Sequence, residues 1–159
     1  YEGNWADGKL NGVGKLIKPN GNIYTGEWKD GKRHGKGTHV WANGSKYIGE
    51  WSNNNMNGKG EYHLVSGDSY IGTFMDNTFH GMGKYTWNVD NASDNVNSGD
   101  IYEGEWKAHK RNGKGIMHFA NGNKYKGEWA NGKYHGKGTL SDSNGNVLSE
   151  GKWINGELS

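Results

Sequence analysis

Residues Tyr24 to Gly37 read YTGEWKDGKRHGKG, and most of the chain is that phrase repeated. It returns as YIGEWSNNNMNGKG from Tyr47, YIGTFMDNTFHGMG from Tyr70, YEGEWKAHKRNGKG from Tyr102 and YKGEWANGKYHGKG from Tyr125. A looser copy, YEGNWADGKLNGVG, opens the chain at Tyr1. A truncated one, SEGKWINGELS, runs from Ser149 with Ser in the Tyr position. Successive copies start 23, 23, 23, 32, 23 and 24 residues apart. A fixed period in this range marks a repeat array.

Within a copy the residues ask for strands. The only proline is Pro19, glycine occurs 29 times, and period-two patterns run between turn residues. A two-residue turn at Asp30-Gly31 is a strong hairpin signal. It sets Lys29 opposite Lys32, Trp28 opposite Arg33, Gly26 opposite Gly35 and Tyr24 opposite Gly37. The same arithmetic holds at Asp7-Gly8, Asn53-Asn54, Asp76-Asn77, Asn131-Gly132 and Asn155-Gly156. Ala108-His109 is a poor turn pair, so that hairpin tip is expected to be the least regular. Between copies, a two-residue turn at Asn43-Gly44 would flip a whole strand to the wrong face. A three-residue loop ending in a left-handed Gly restores parity and pairs Trp41 with Ser45, His39 with Tyr47 and Gly37 with Gly49. Pro19 falls at the first central position of such a turn. Ser143-Asn144-Gly145 leaves one residue too many, which predicts a bulge near Val147-Leu148.

The fold expected is all-β: an elongated, single-layer antiparallel meander of about seven 23-residue hairpins, forming one array over residues 1–159. Residues Asn88 to Asp100 (NVDNASDNVNSGD) interrupt it and read as a solvated loop.

The pattern Tyr-x-Gly-x-Trp/Phe, then six residues, then Gly-x-Gly, resembles the MORN (membrane occupation and recognition nexus) repeat. The likeness covers nearly the whole chain; Phe74 for Trp and Ser149 for Tyr depart from it. Proteins with such repeats include junctophilins, alsin, a histone-lysine methyltransferase, plant phosphatidylinositol-phosphate kinases and cytoskeletal scaffolds. The resemblance implies a binding or scaffolding module, cytoplasmic, on the cytoskeleton or a membrane, rather than the catalytic part of such proteins. A repeat fold by itself hosts many roles.

Composition narrows the classes. Hydrophobic residues are only 31% of the 159, yet there are 8 Trp and 9 Tyr, which suits a thin aromatic core and argues against disorder. The net charge of +2, from 19 basic and 17 acidic residues spread evenly, is no nucleic-acid footprint. No apolar run approaches the ~20 residues of a membrane-spanning helix. The absence of Cys excludes thiolate metal sites and favours an intracellular setting. Residue 1 already holds a motif position with no initiator Met before it, so the chain reads as part of a longer polypeptide or a processed form.

Alternation then sorts side chains between two faces. One face collects the motif aromatics Tyr24, Trp28, Tyr47, Trp51, Tyr70, Phe74, Tyr102, Trp106, Tyr125 and Trp129. With them go the glycines after each Tyr, Gly26, Gly49, Gly72, Gly104 and Gly127. The pairs Gly35 and Gly37, Gly58 and Gly60, Gly81 and Gly83, Gly113 and Gly115, and Gly136 and Gly138 complete the row. Rings lying in hollows over glycine make a one-layer core. The variable positions His39, Trp41, Tyr62, Leu64, Tyr85, Trp87, Met117 and Phe119 share that face and are the candidates for a partner groove, since large apolar patches mark partner sites and aromatics dominate hot spots. The opposite face takes Thr25, Glu27, Lys36, Thr38, Lys59, Glu61, Lys84, Lys114, His118, Lys137 and Thr139. No amphipathic segment is left over to cover the aromatic face.

Other chemistry is weakly signalled. His34, His80 and His135 fall in different copies, too far apart to converge on a metal; pairing with the strand acid, as Glu27 with His34, suits them better. The Gly-Lys-Gly triplets precede no helix and are not phosphate loops. No catalytic arrangement stands out, and no metal or cofactor is expected. The expected function is a non-catalytic protein-interaction scaffold binding a partner peptide or helix in the aromatic groove. Two alternatives stand beside it: an anionic-membrane or phosphoinositide-binding module using the Lys row, and the non-catalytic arm of a lysine methyltransferase or phosphatidylinositol-phosphate kinase. Free terminal strands would permit homodimers.

Overall fold

The computed structural model describes all 159 residues and contains no helix. Its fourteen strands are hydrogen-bonded in chain order within one antiparallel sheet. Contacts sort the chain into two compact units, residues 1–65 with 71–78, and residues 66–70 with 79–159. The first holds β1 (Glu2–Ala6), β2 (Lys9–Ile17), β3 (Ile23–Lys29), β4 (Lys32–Val40), β5 (Lys46–Ser52), β6 (Asn55–His63) and most of β7 (Ser69–Met75). The second holds most of β8 (Thr78–Thr86), then β9 (Ile101–Lys107), β10 (Lys110–His118), β11 (Lys124–Ala130), β12 (Lys133–Ser141), β13 (Val147–Ile154) and β14 (Glu157–Leu158).

The turns follow the residues that make them. Asp30 and Gly31 both take positive φ, 51° and 79°, the mirror-image turn whose twist matches paired strands. The inter-copy loops carry Gly44 at φ 94°, with Trp41 N–H donating to Ser45 O and Gly44 N–H to Trp41 O, both at 2.9 Å. This keeps His39 opposite Tyr47 and Gly37 opposite Gly49. The bulge at the last connection also forms, with Leu140 opposite Ser149 but Ser141 opposite Val147.

Two readings of the hairpins need correction. Ala108-His109 is no less regular than the other tips, with φ of 47° and 68° against 48° and 72° at Asn53-Asn54. Its geometry is held from outside: His109 N–H donates to Phe79 O (3.1 Å), and His109 Nδ1 accepts from Phe79 N–H (3.3 Å). Asn54 does the same for Arg33, its N–H reaching Arg33 O and its Oδ1 accepting Arg33 N–H. Ala108 nevertheless occupies a conformation that L-residues other than Asn and Asp adopt at a cost of about 1–2 kcal/mol.

The register inside each hairpin is the second correction. Trp28 does face Arg33, but Gly26 faces Gly37 rather than Gly35, and Tyr24 faces His39 rather than Gly37. Two extra residues enter β4 at a bulge, and Gly35, at φ +74°, is its left-handed residue. The Glu27 carboxylate fills the bulge, Oε2 accepting Lys36 N–H at 2.5 Å. A Cβ on Gly35 would lie 2.5 Å from that same oxygen. Glu50 with Lys59, Glu105 with Lys114 and Glu128 with Lys137 repeat the arrangement. Gly35, Gly58, Gly113 and Gly136 therefore make room for a carboxylate, not for a ring. Glu27 is occupied in this way and forms no ion pair with His34; histidine pairs instead as His63 with Glu61 and His118 with Glu103.

The rings sit over the second Gly of each pair. A side chain on Gly37 would collide with the Tyr24 phenol, and one on Gly115 with Tyr102. Each phenol turns its hydroxyl onto a backbone carbonyl in its own strand, Tyr24 to Glu27 O at 2.9 Å and Tyr47 to Glu50 O at 2.8 Å. Tyr24, Tyr102 and Tyr125 then each meet two indoles edge-on, and Tyr47 meets Trp51 and Phe74 in the same way. Tyr24 lies 5.0 Å from Trp28 of its own copy and 5.4 Å from Trp51 of the next; Tyr102 lies 5.1 Å from Trp106 and 5.2 Å from Trp129. The indole N–H donates back to the preceding copy's glycine carbonyl, as Trp51 to Gly37 at 3.1 Å and Trp129 to Gly115 at 3.2 Å. Tyr47, Tyr70, Tyr102 and Tyr125 are fully buried in consequence.

Gly49→Val places atoms where Gly60 Cα (2.5 Å), Lys59 O (2.6 Å) and Tyr47 Oη (2.6 Å) already stand. It should cost about 3 kcal/mol or more in urea unfolding, and an unshifted midpoint would contradict this packing. Ala108→Asn should raise stability by about 0.5–1 kcal/mol by relieving the left-handed strain; a lower melting temperature would show that the alanine is not strained.

Candidate functional site

Strand ends β4, β6, β8 and β10 carry the variable residues of the ring face into the loops that follow them. In the first unit, His39 is buried, its ring 4.5 Å from Trp41 and 5.9 Å from Trp51. Trp41 leans on Tyr62 at 5.2 Å, and Trp41, Tyr62 and Leu64 are half-buried. In the second unit, Tyr85, Trp87 and Met117 are buried and only Phe119 is half-exposed. Tyr85 donates to Asp68 Oδ2 at 2.8 Å, and its ring lies 4.5 Å from Trp87. Of the eight candidate groove residues, four are thus core, and three of the four that remain reachable lie together in the first unit.

The sequence reading passed over a second set on the same face, the residues opposite the motif Trp across the tight turn. They are Leu10 opposite Trp5, Arg33 opposite Trp28, Met56 opposite Trp51, Arg111 opposite Trp106 and Tyr134 opposite Trp129. Pairing Trp28 with Arg33 already implied this placement. Tyr134 stacks on Tyr125 at 3.8 Å, and Phe79, at the same place in its copy, stacks on Tyr70 at 4.0 Å. The two arginines lie over indoles, Arg33 at 4.5 Å from Trp51 and Arg111 at 5.0 Å from Trp129, near enough for cation–π attraction. Burial lowers the pKa of both guanidinium groups from the ordinary arginine value.

The insertion is an exposed loop over most of its length, but it is ordered and corrects the expectation of a wholly uncovered face. Asn91 and Val96 bridge each other, and Val96 is buried. Ser98 N–H donates to Asp90 Oδ1 at 2.8 Å, and Asn97 N–H to Asp100 Oδ2 at 2.9 Å. Asp100, wholly buried, also accepts Ala120 N–H at 2.8 Å. Arg111, only 5% exposed, donates through Nη2 to Asp94 O at 3.2 Å. Residues 88–100 therefore form a folded strap over Arg111, beside a cleft of about 310 Å³ bordered by Asp94, Arg111, Phe119, Trp129 and Tyr134.

The opposite face is mixed rather than polar throughout. Lys84 pairs with Glu103 at 3.7 Å, but Val13 and Ile48 stand exposed among its charges. The structure brings no three of His, Asp and Glu together in a way that could hold a metal ion.

A family model of the MORN repeat matches residues 1–23, 24–46, 47–69, 70–91, 102–124 and 125–147. No curated protein matches the chain in sequence. Among solved structures, the TCP10 domain of Danio rerio CPAP in complex with a peptide of Danio rerio STIL is 16% identical, with 90% of this chain and 80% of that chain covered and a TM-score of 0.27. The same domain without the peptide is also 16% identical, with 93% and 92% covered and a TM-score of 0.22. Likeness at this level carries nothing about function.

His39 offers a solution test of the site. Burial, with the charges of Arg33 and Lys18, lowers its pKa from 6.5 to about 4. The unfolded chain therefore binds a proton between these values that the folded chain refuses. The contribution is complete above about pH 6.5 and is lost as the pH falls toward 4. The denaturation midpoint should drop more steeply from pH 7 to pH 4.5 in the wild-type chain than in His39→Gln; equal slopes would place the imidazole in water.

Proposed function

The chain belongs to the MORN-repeat family, and we propose that it is a non-catalytic scaffold that receives a segment of a protein partner on its ring face. The contact centres on Trp41, Tyr62 and Leu64. One observation carries this reading: Trp41 and Trp87 hold the same place in two copies, yet their surroundings differ. Trp87 is 4% exposed, with Arg111 over its ring at 5.4 Å and residues 88–100 following it, whereas Trp41 and Tyr62 stand half-exposed with no such strap. An apolar aromatic pair at the surface gains from being covered, and a polypeptide segment is what the sequence supplies where it provides a cover.

The reading also limits what can be mutated. Trp87 is core, so its loss would unfold rather than disarm. Trp41→Ser with Leu64→Ser is the informative variant. Captures from a cell extract by the wild-type and doubly substituted chains should differ by at least one protein retained only by the former, while their circular dichroism superimposes. Identical captures would remove the ring face as the contact. A parallel sedimentation with phosphoinositide vesicles should leave both chains in the supernatant at physiological salt, because the lysines of the other face are interleaved with Glu103 and Glu128.

A further inference from the structure

Arg33 and Arg111 are the same residue of the repeat in two settings. Each faces its own copy's Trp across the turn, and each lays its guanidinium over the next copy's Trp. Around Arg111 the chain supplies acceptors of its own: the Asp94 carbonyl bonds to Nη2, and the carboxylates of Asp94 and Asp100 lie close enough to favour the cation. Arg33 has acceptors in Asn54 and His39 but no acidic segment over it. It opens on a cleft of about 210 Å³ whose border includes Lys18, Asn22, His39 and Asn54 and contains no carboxylate. Its bonds run to Asn54, through Nη2 to the carbonyl at 3.0 Å and through Nε to Oδ1 at 3.4 Å, and from Nη1 to His39 Nδ1 at 3.2 Å. A guanidinium has five N–H donors, so donor capacity remains beyond these three bonds. Lys18, exposed at the rim, adds a second positive charge that His39 senses.

We propose that this cleft takes an acidic turn of a partner polypeptide, one carboxylate lying between Arg33 and Lys18, whereas the chain's own strap meets Arg111 through the Asp94 carbonyl. The proposal rests on the ring face being the surface that receives a partner, and it adds which chemistry is chosen there. Charge complementarity argues for it, since two cations share a cleft without an acid. The internal precedent does so too, since at the equivalent arginine the chain itself places a turn bearing Asp94 and Asp100.

The probe is a head-to-tail cyclised peptide of the sequence Asn88 to Asp100, added to the isotope-labelled full chain and followed through the indole N–H signals of Trp28, Trp41 and Trp51. Saturable shifts are expected at Trp28 and Trp51. Affinity should fall on the order of tenfold in Arg33→Gln, the scale of one charge-assisted hydrogen bond. It should fall by about threefold in Lys18→Gln, as for an exposed ion pair. The same peptide with both aspartates at the positions of Asp94 and Asp100 changed to Asn should bind no better than the Arg33→Gln chain binds the original. Since Arg33 also packs on Trp51, the exposed Lys18 supplies the variant in which folding is not in question. Absence of shifts at millimolar peptide, equal binding of the Asn peptide, or unchanged affinity in Lys18→Gln overturns the proposal. Peptide binding that survives in Arg33→Gln but is lost in Trp41→Ser with Leu64→Ser would overturn the acidic turn alone and leave the ring face as a partner surface.

Discussion

A phenol ring can lie over a β-sheet only where the backbone beneath it carries no side chain. The pairing of Tyr24 with bare Gly37 is the constraint on which the remaining geometry depends. Once the ring is there, its hydroxyl reaches Glu27 O, and the next copy's Trp51 can close against it edge-on while its indole N–H finds Gly37 O. One glycine thus accepts both a ring above it and a hydrogen bond from the following copy. Aromatic pairs of this geometry contribute about 0.5–1.5 kcal/mol beyond burial, and Tyr24, Tyr47, Tyr102 and Tyr125 each make two. A sheet with no second layer can in this way keep its Tyr rings fully buried. The core runs between neighbours in the chain and never needs a partner from elsewhere.

The bulge is the second half of the same device. With the two extra residues in β4, Gly26 faces Gly37, and the Tyr24 ring lies over Gly37 while Tyr24 itself faces His39. The left-handed Gly35 shifts the strand, and Glu27 satisfies the Lys36 N–H that the bulge frees. That is why Glu recurs four residues before the turn's close in copies that also keep Gly-Lys-Gly. A carboxylate that satisfies a backbone donor freed by the bulge does more for the fold than an exposed pair with His34 could, because exposed pairs contribute at most about 1 kcal/mol and often nothing.

What the sequence made legible, and what it hid, follows from this distinction. Period, turn residues and strand parity are local properties, so the loops at Pro19 and Asn43-Gly44 and the bulge after Ser143 could all be read from spacing. The bulge at Gly35 could not, because a two-residue insertion preserves parity and leaves the face of every later residue unchanged. The register drawn from the turn alone therefore looked consistent while being wrong by one pair. Ala108-His109 was misjudged for another reason: intrinsic turn preference was weighed without the bonds from Phe79 that hold the tip. At the candidate site, alternation put His39, Trp41, Tyr62, Leu64, Tyr85, Trp87, Met117 and Phe119 on one face but could not tell core from rim. Arg33 and Arg111 were overlooked because a charged residue in a Lys-rich turn looks like solvent-facing punctuation. Their pairing with Trp28 and Trp106 was the available signal.

The strap shows what composition alone leaves out. Asn88 to Asp100 holds two valines and no aromatic residue, too little apolar surface to suggest packing. Its order comes instead from polar obligations. A guanidinium at 5% exposure needs acceptors, because a buried cation without them is among the costliest arrangements a fold can hold. The backbone carbonyl of Asp94 meets part of that need, and Asp100 anchors the strap's end on Asn97 and Ala120. The insertion folds because of what it covers, not because of what it contains. The ring face thus has two settings for the same residue: at Arg111 a strap bearing acids closes the surface, and at Arg33 the acceptors are Asn54 and His39, no carboxylate lines the cleft and the surface is open. On the proposed reading, selectivity arises less from the invariant rings, which hold copies together, than from which copies carry an arginine and which of those the chain covers with its own strap.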